Sequence, residues 1–187
     1  MFFVLLMLAK REYYTDNYDM SKEGIILTGF MGMGKSTIGP SVAEKLQVNY
    51  FDTDEWLETL QGIDIPELVK TNMPEFRRIE AEALKNILDK EPGVISTGGG
   101  IVSTEVGRSA LLASSASVVW LRAPFEVAAD RVIGDSGRER PLFSNVESAR
   151  ALFDERQQWY EDTATHIVDA SQPKEQVVEA VMLAVAD

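Results

Sequence analysis

From Gly24 onward, short continuous apolar runs alternate with segments whose apolar residues recur at helical spacing. The runs are Ile25-Ile26-Leu27, Val48-Asn49-Tyr50-Phe51, Val94-Ile95-Ser96, Val118-Val119-Trp120-Leu121 and His166-Ile167-Val168. Continuous rather than alternating apolar character predicts strands covered on both faces, as in a parallel sheet. Between them Ile38, Val42 and Leu46 fall at i, i+4 and i+8, and Ile79, Ala83 and Ile87 do the same, each predicting the buried stripe of a helix. Pro124 and Pro173 sit where first helical turns would begin, a position that tolerates the missing N–H. The series predicts a three-layer α/β fold. Gly134-Asp135-Ser136-Gly137-Arg138-Glu139-Arg140-Pro141 is rich in turn formers and charge, and is expected to be a mobile loop.

A chain of 187 residues has room for one domain with a substantial core and not for two. Its 18 basic and 30 acidic side chains leave a net charge of −12, so it has no global attraction to nucleic acid or to anionic lipid. Any phosphate must be gripped locally. The absence of cysteine excludes disulfides, thiolate zinc sites and a cysteine nucleophile, and is compatible with a reducing cytoplasm. His166, the one histidine, cannot build a histidine metal cluster. The apolar run Met1 to Ala9 is about half of the ~20 residues that a membrane-crossing helix needs. Its basic residues follow it instead of preceding it, unlike a secretory signal. Residues 1–23 are therefore expected to be an N-terminal extension, either disordered or a misassigned gene start, with Met20 as the true initiator.

Gly29-Phe-Met-Gly32-Met-Gly34-Lys35-Ser36-Thr37 matches G-x-x-x-x-G-K-[ST] and lies between a predicted strand and a predicted helix, the context that a phosphate-binding loop requires. Glycines let the backbone fold round an anion with its N–H groups turned inward. The helix beginning near Lys35 aims its positive dipole end at the same place. Gly32, Met33, Gly34, Lys35, Ser36 and Thr37 are thus the expected ATP contacts, with Lys35 on the β- and γ-phosphate oxygens, Ser36 on Mg²⁺ and Thr37 supporting the loop.

A phosphate loop implies a nucleotide without implying a reaction. Downstream stand Phe51-Asp52-Thr53-Asp54, Glu75-Phe76-Arg77-Arg78-Ile79-Glu80, Ser96-Thr97-Gly98-Gly99-Gly100, Arg140-Pro141-Leu142, and Glu155-Arg156 with Tyr160. In this order the motifs resemble those of the shikimate kinases, over Gly24 to Asp187. The resemblance implies a P-loop kinase fold like that of nucleoside monophosphate kinases, with a five-stranded parallel sheet and a mobile lid near 134–145 in a single domain, 24–187. It also implies ATP-dependent phosphorylation of the 3-hydroxyl of shikimate, in a cytoplasmic monomer that takes small molecules only. By motif position Arg77 and Arg156 would bind the shikimate carboxylate, and Arg140, with Arg138 a nearby rival, would reach the transferring phosphoryl group from the lid.

Read physically, Asp52 and Asp54 end the second strand, and alternation there would point both into the cleft at the carboxyl ends of the strands. Asp52 is the candidate for the Mg²⁺ shell through water, and Asp54 for holding or deprotonating the attacking hydroxyl. The plainer alternative is that one of them, Asp54 for instance, caps the following helix. Gly98, Gly99 and Gly100 after a strand would let substrate approach and offer N–H groups, though a tight turn would use them equally. Arginine supplies a planar fork for a carboxylate; the plainer role for Arg77 is a surface salt bridge to Glu80 or Glu75, worth a few tenths of a kcal/mol. Arg131 and Pro173 are candidates for stacking on adenine. Trp56, Trp120 and Trp159 are expected to pack rather than to react.

The chain departs from the family pattern in two places. Arg156-Gln-Gln-Trp159-Tyr160 stands where Arg-x-Pro-Leu-Tyr is usual, and Ile101 where Ala is common. The competing readings are another small-metabolite kinase, such as a gluconate kinase, and a nonenzymatic module that binds ATP or shikimate as a signal.

Overall fold

A computed structural model describes residues 24–60, 62–90, 92–134 and 145–186. Five parallel strands, β1 (Ile25–Thr28), β2 (Asn49–Asp52), β3 (Gly93–Ser96), β4 (Ser117–Arg122) and β5 (His166–Asp169), form one sheet in the order β2-β3-β1-β4-β5. Each predicted run lies within or overlaps a strand. Ile25 pairs with Val94 on one side and Ser117 on the other, so β1 is central. Coverage on both faces holds for β1 and β3 throughout and for β4 over Val118–Leu121. It fails for β2 and β5, which are edge strands with half-buried or exposed residues.

Helix α1 (Lys35–Leu46) follows β1, a helical turn α2 (Thr53–Glu55) follows β2, and a π-helical turn over Trp56–Leu60 continues it. Helices α3 (Ile65–Thr71), α4 (Met73–Leu88), α5 (Glu105–Leu112), α6 (Phe125–Gly134), α7 (Val146–Thr163) and α8 (Lys174–Ala186) complete the chain order. Helices α1 and α8 pack on one face of the sheet; α7, in contact with β4, α5 and α6, lies on the other, and α4 packs on α5. In α1 the predicted stripe Ile38, Val42 and Leu46 is buried. In α4 the buried stripe is Phe76, Glu80, Ala83, Leu84 and Ile87, with Ile79 only half-buried, so a carboxylate occupies a core position. Pro124 and Pro173 stand one residue before α6 and α8, where their carbonyls accept the first helical bonds.

No helix among the described residues is long and apolar enough to cross a membrane. The expected N-terminal extension, residues 1–23, lies outside the described residues. So does the lid apart from Gly134 and Asn145, and with it Arg140.

Candidate active site

The carboxyl ends of the strands open into a cleft of about 530 Å³. One wall is the loop and helix start from Met31 to Ile38; the others are Asp52 and Asp54, Thr97 to Gly99, Arg131 with Val132, and Ala170, Gln172, Lys174 and Val177. Gly32 and Gly34 adopt φ of 82° and 88°, a region closed to most side chains, and this is what turns the chain back into α1. Lys35 lies folded into the loop, its ammonium donating to the carbonyls of Gly29 at 2.7 Å and Phe30 at 3.1 Å. Met33, Ser36 and Thr37 line the same cleft.

Asp52 joins this loop to β2. Its Oδ2 accepts the Ser36 hydroxyl at 2.9 Å and the Tyr50 hydroxyl at 3.3 Å, while Oδ1 accepts the Asp54 N–H at 3.0 Å and the Glu55 N–H at 3.5 Å. Burial, together with the neighbouring Asp52 charge, pushes the Tyr50 phenol up to about 12. One of the two acids does cap the following helix, and it is Asp52 rather than Asp54. One sequence expectation changes. The strand ends at Asp52, so Asp54 is aimed by the first turn of α2 rather than by strand alternation. Both carboxylates nonetheless line the cleft.

The glycine triplet after β3 does three different things. The Gly98 N–H donates to Thr53 Oγ1 at 3.1 Å and is not available to a ligand, contrary to the expectation that all three amides would be. The Gly99 carbonyl accepts Arg156 Nη1 at 3.0 Å and the Tyr160 hydroxyl at 2.5 Å. Gly100 makes room for a guanidinium, because a Cβ there would collide with Arg77. A Cβ on Gly98 would collide with Glu80 Oε1 and stand 3.1 Å from Asp54 Oδ1, so these two acids face one gap.

Arg77 and Arg156 therefore flank the same loop, and do so from different helices. Helix α4 is started by Asn72, whose Oδ1 accepts the Glu75 N–H at 3.2 Å, with Pro74 in its first turn. Arg77 Nη1 donates to Glu80 Oε2 at 2.8 Å, and its guanidinium lies 4.9 Å from the Phe76 ring. The plainer reading of this ion pair as a surface contact is overturned: Glu80 is fully buried and Arg77 nearly so. Burial raises the Glu80 carboxyl to about 7, against the pull of Arg77, with Asp54 adding to the rise. Arg78, about 100° further round the helix, pairs with Glu75 and Glu82 on the exposed face.

Arg156 sits over the Phe30 ring at 5.8 Å, with its Nε lacking an acceptor among the described residues; burial lowers its affinity for the proton. Tyr160 is buried and stacked on Trp120 with ring centroids 5.7 Å apart. The Gln157-Gln158-Trp159 departure leaves α7 continuous from Val146 to Thr163, with Trp159 beneath Arg108 at 5.1 Å. Toward the other end of the cleft Arg131 donates to the Ala170 carbonyl at 2.9 Å and lines the wall, whereas Pro173 does not line it and its neighbours Gln172 and Lys174 do. Glu80 is the site residue that sequence reasoning missed. Its signal was a carboxylate at the i+4 position after Phe76, inside the apolar stripe.

A parallel sheet with a phosphate loop after β1, two acids at the end of β2 and two guanidiniums over a glycine loop defines the class of P-loop kinases that act on small acidic alcohols. The sequence model of shikimate kinase matches residues 31–186, and the chain belongs to the shikimate kinase family. It is 35% identical over 161 residues to a shikimate kinase of Aquifex aeolicus, a span of 85% of this chain and 94% of that one. The solved structure of the Acinetobacter baumannii shikimate kinase in complex with shikimate superposes with a TM-score of 0.78 at 27% identity, covering 87% of this chain and 92% of that one. A gluconokinase of Sinorhizobium meliloti, at 20% identity and a TM-score of 0.61 over 89% of this chain and 93% of its own, shares the fold.

Proposed function

We propose that this chain transfers the γ-phosphoryl group of ATP to the 3-hydroxyl of shikimate. The observation that supports this most is the single cleft in which the phosphate loop, Asp52, Asp54 and the glycine loop meet, with Arg156 bonded to that same glycine loop and Arg77 lying against it. The loop from Gly32 to Thr37 and the α1 terminus take the phosphates, with the Met33 and Thr37 N–H groups already donating to the Phe30 and Gly34 carbonyls, and Lys35 exchanges its carbonyl partners for phosphate oxygens. Arg77 and Arg156 hold the acceptor's carboxylate by charge-assisted hydrogen bonds, with the Gly99 and Gly100 amides beside them. Asp54 accepts the hydroxyl proton as that oxygen bonds to the γ-phosphorus and the bond from phosphorus to the β,γ-bridging oxygen breaks. The electron pair leaves with ADP.

Magnesium fits the donors present: Ser36 Oγ and Asp52 Oδ2 are hard oxygen atoms 2.9 Å apart at the cleft wall, few enough to leave most of the shell to water and phosphate. When bound, the ion supplies neutralisation of charge on the phosphates. Residues 24–187 act as one kinase domain, a monomer in the cytoplasm.

A coupled assay of ADP release with shikimate, quinate, gluconate and nucleoside monophosphates tests the assignment. Turnover with shikimate well above the others is expected. Preference for gluconate would replace the substrate, and no ADP with any acceptor would favour a nonenzymatic module.

A further inference from the structure

Tyr50 takes no part in the chemistry proposed above, yet its hydroxyl reaches the oxygen atom that receives the Ser36 hydroxyl. Two residues before Asp52 on an extended strand, it shares the face on which α1 packs. Its ring lies against Gly39 of α1, where any Cβ would run into Tyr50 Cε2. The phenol is thereby held by packing, not by its hydrogen bond. Asp52 is fixed from the opposite side by the Asp54 and Glu55 amides through Oδ1. At Oδ2 the Ser36 and Tyr50 hydroxyls converge.

We infer that Tyr50 is a positioning residue for the divalent cation of the nucleotide complex: its hydroxyl holds the Asp52 carboxylate turned toward Ser36, so that both oxygens are set before the hydrated metal arrives. The inference rests on the assignment of Ser36 and Asp52 to that cation. A carboxylate whose Oδ2 is held by the Tyr50 hydroxyl as well as by Ser36 loses less rotamer freedom when the metal binds than one held there by Ser36 alone. The contact is long for an O–H···O bond, which places its effect at the low end of the usual range.

Tyr50→Phe removes the hydroxyl and keeps the ring on Gly39. Manganese, added to enzyme with ADP, is followed by the loss of the free-ion electron paramagnetic resonance signal, and ADP affinity in EDTA by calorimetry. The variant is expected to hold Mn²⁺ about two- to five-fold more weakly, with ADP affinity in EDTA and melting temperature unchanged. In an Asp52→Asn background the same substitution is expected to add nothing. Wild-type Mn²⁺ retention in Tyr50→Phe would overturn the inference, as would an equal loss of ADP affinity in EDTA or an undiminished effect without the Asp52 carboxylate. Failure of the wild-type protein itself to take up Mn²⁺ with ADP would instead overturn the cation assignment, and the inference with it.

Discussion

Replacing Glu80 by Gln should change how stability depends on pH, and the sign follows from burial. Glu80 has no exposed surface; its Oε2 takes one bond from Arg77, and Oε1 has no partner among the described residues. The carboxyl accordingly keeps its proton in the folded chain up to about 7, against an ordinary 4.5. Between those two values the folded chain binds a proton that the unfolded chain has released, so raising the pH favours unfolding. The contribution is complete below pH 4.5, declines across the window and is lost above about 7. A rise from 4.5 to about 7, at about 1.4 kcal/mol per pH unit, is on the order of 3 kcal/mol. Glutamine keeps the shape and cannot ionise. Urea denaturation at intervals from pH 5 to 8 should therefore show the wild-type protein losing stability relative to Glu80→Gln as pH rises. The two curves should run parallel above about pH 8. Parallel curves across the whole range, or a wild-type gain with rising pH, would show that Glu80 is an ordinary ionised partner of Arg77 and refute the reasoning.

Asp54→Asn should lower kcat by about 10²- to 10⁴-fold, the usual worth of a general base, while calorimetry still detects ATP binding; wild-type turnover would remove Asp54 from the mechanism. Arg77→Ala should reduce kcat/KM for shikimate by about 10- to 100-fold, from a charge-assisted contact worth about 1.5–3 kcal/mol, with the KM for ATP unchanged. Gly100→Ala should raise the KM for shikimate and lower the melting temperature, because the added methyl group meets the Arg77 guanidinium and pushes it off the buried Glu80 carboxyl; intact shikimate kinetics would contradict it.

Much of the fold was legible because its signals are local. The apolar runs marked each strand, Ile38, Val42 and Leu46 marked the buried side of α1, and Gly32, Gly34 and Lys35 marked the phosphate loop. A backbone that needs positive φ, or a helix that needs one apolar face, leaves its mark within a few residues of itself. The pairing of Asp52 and Asp54 was visible for the same reason, although the turn of α2, not the strand, aims the second acid.

What the linear pattern left open is settled by contacts between distant parts of the chain. Sheet order β2-β3-β1-β4-β5 makes β2 and β5 edges, although their runs read much like those of the central strands. Arg156 meets the Gly99 carbonyl across 57 positions of sequence, and Gly98 meets Thr53 across 45, a contact that takes the Gly98 amide away from a ligand. Whether the Arg77–Glu80 pair is a surface contact or a buried one was equally undetermined by its i, i+3 spacing, which is the same in both cases. Desolvation depends on what packs over a group, so the chain alone could name the chemically capable residues while only the folded assembly decided their surroundings and hence their charge.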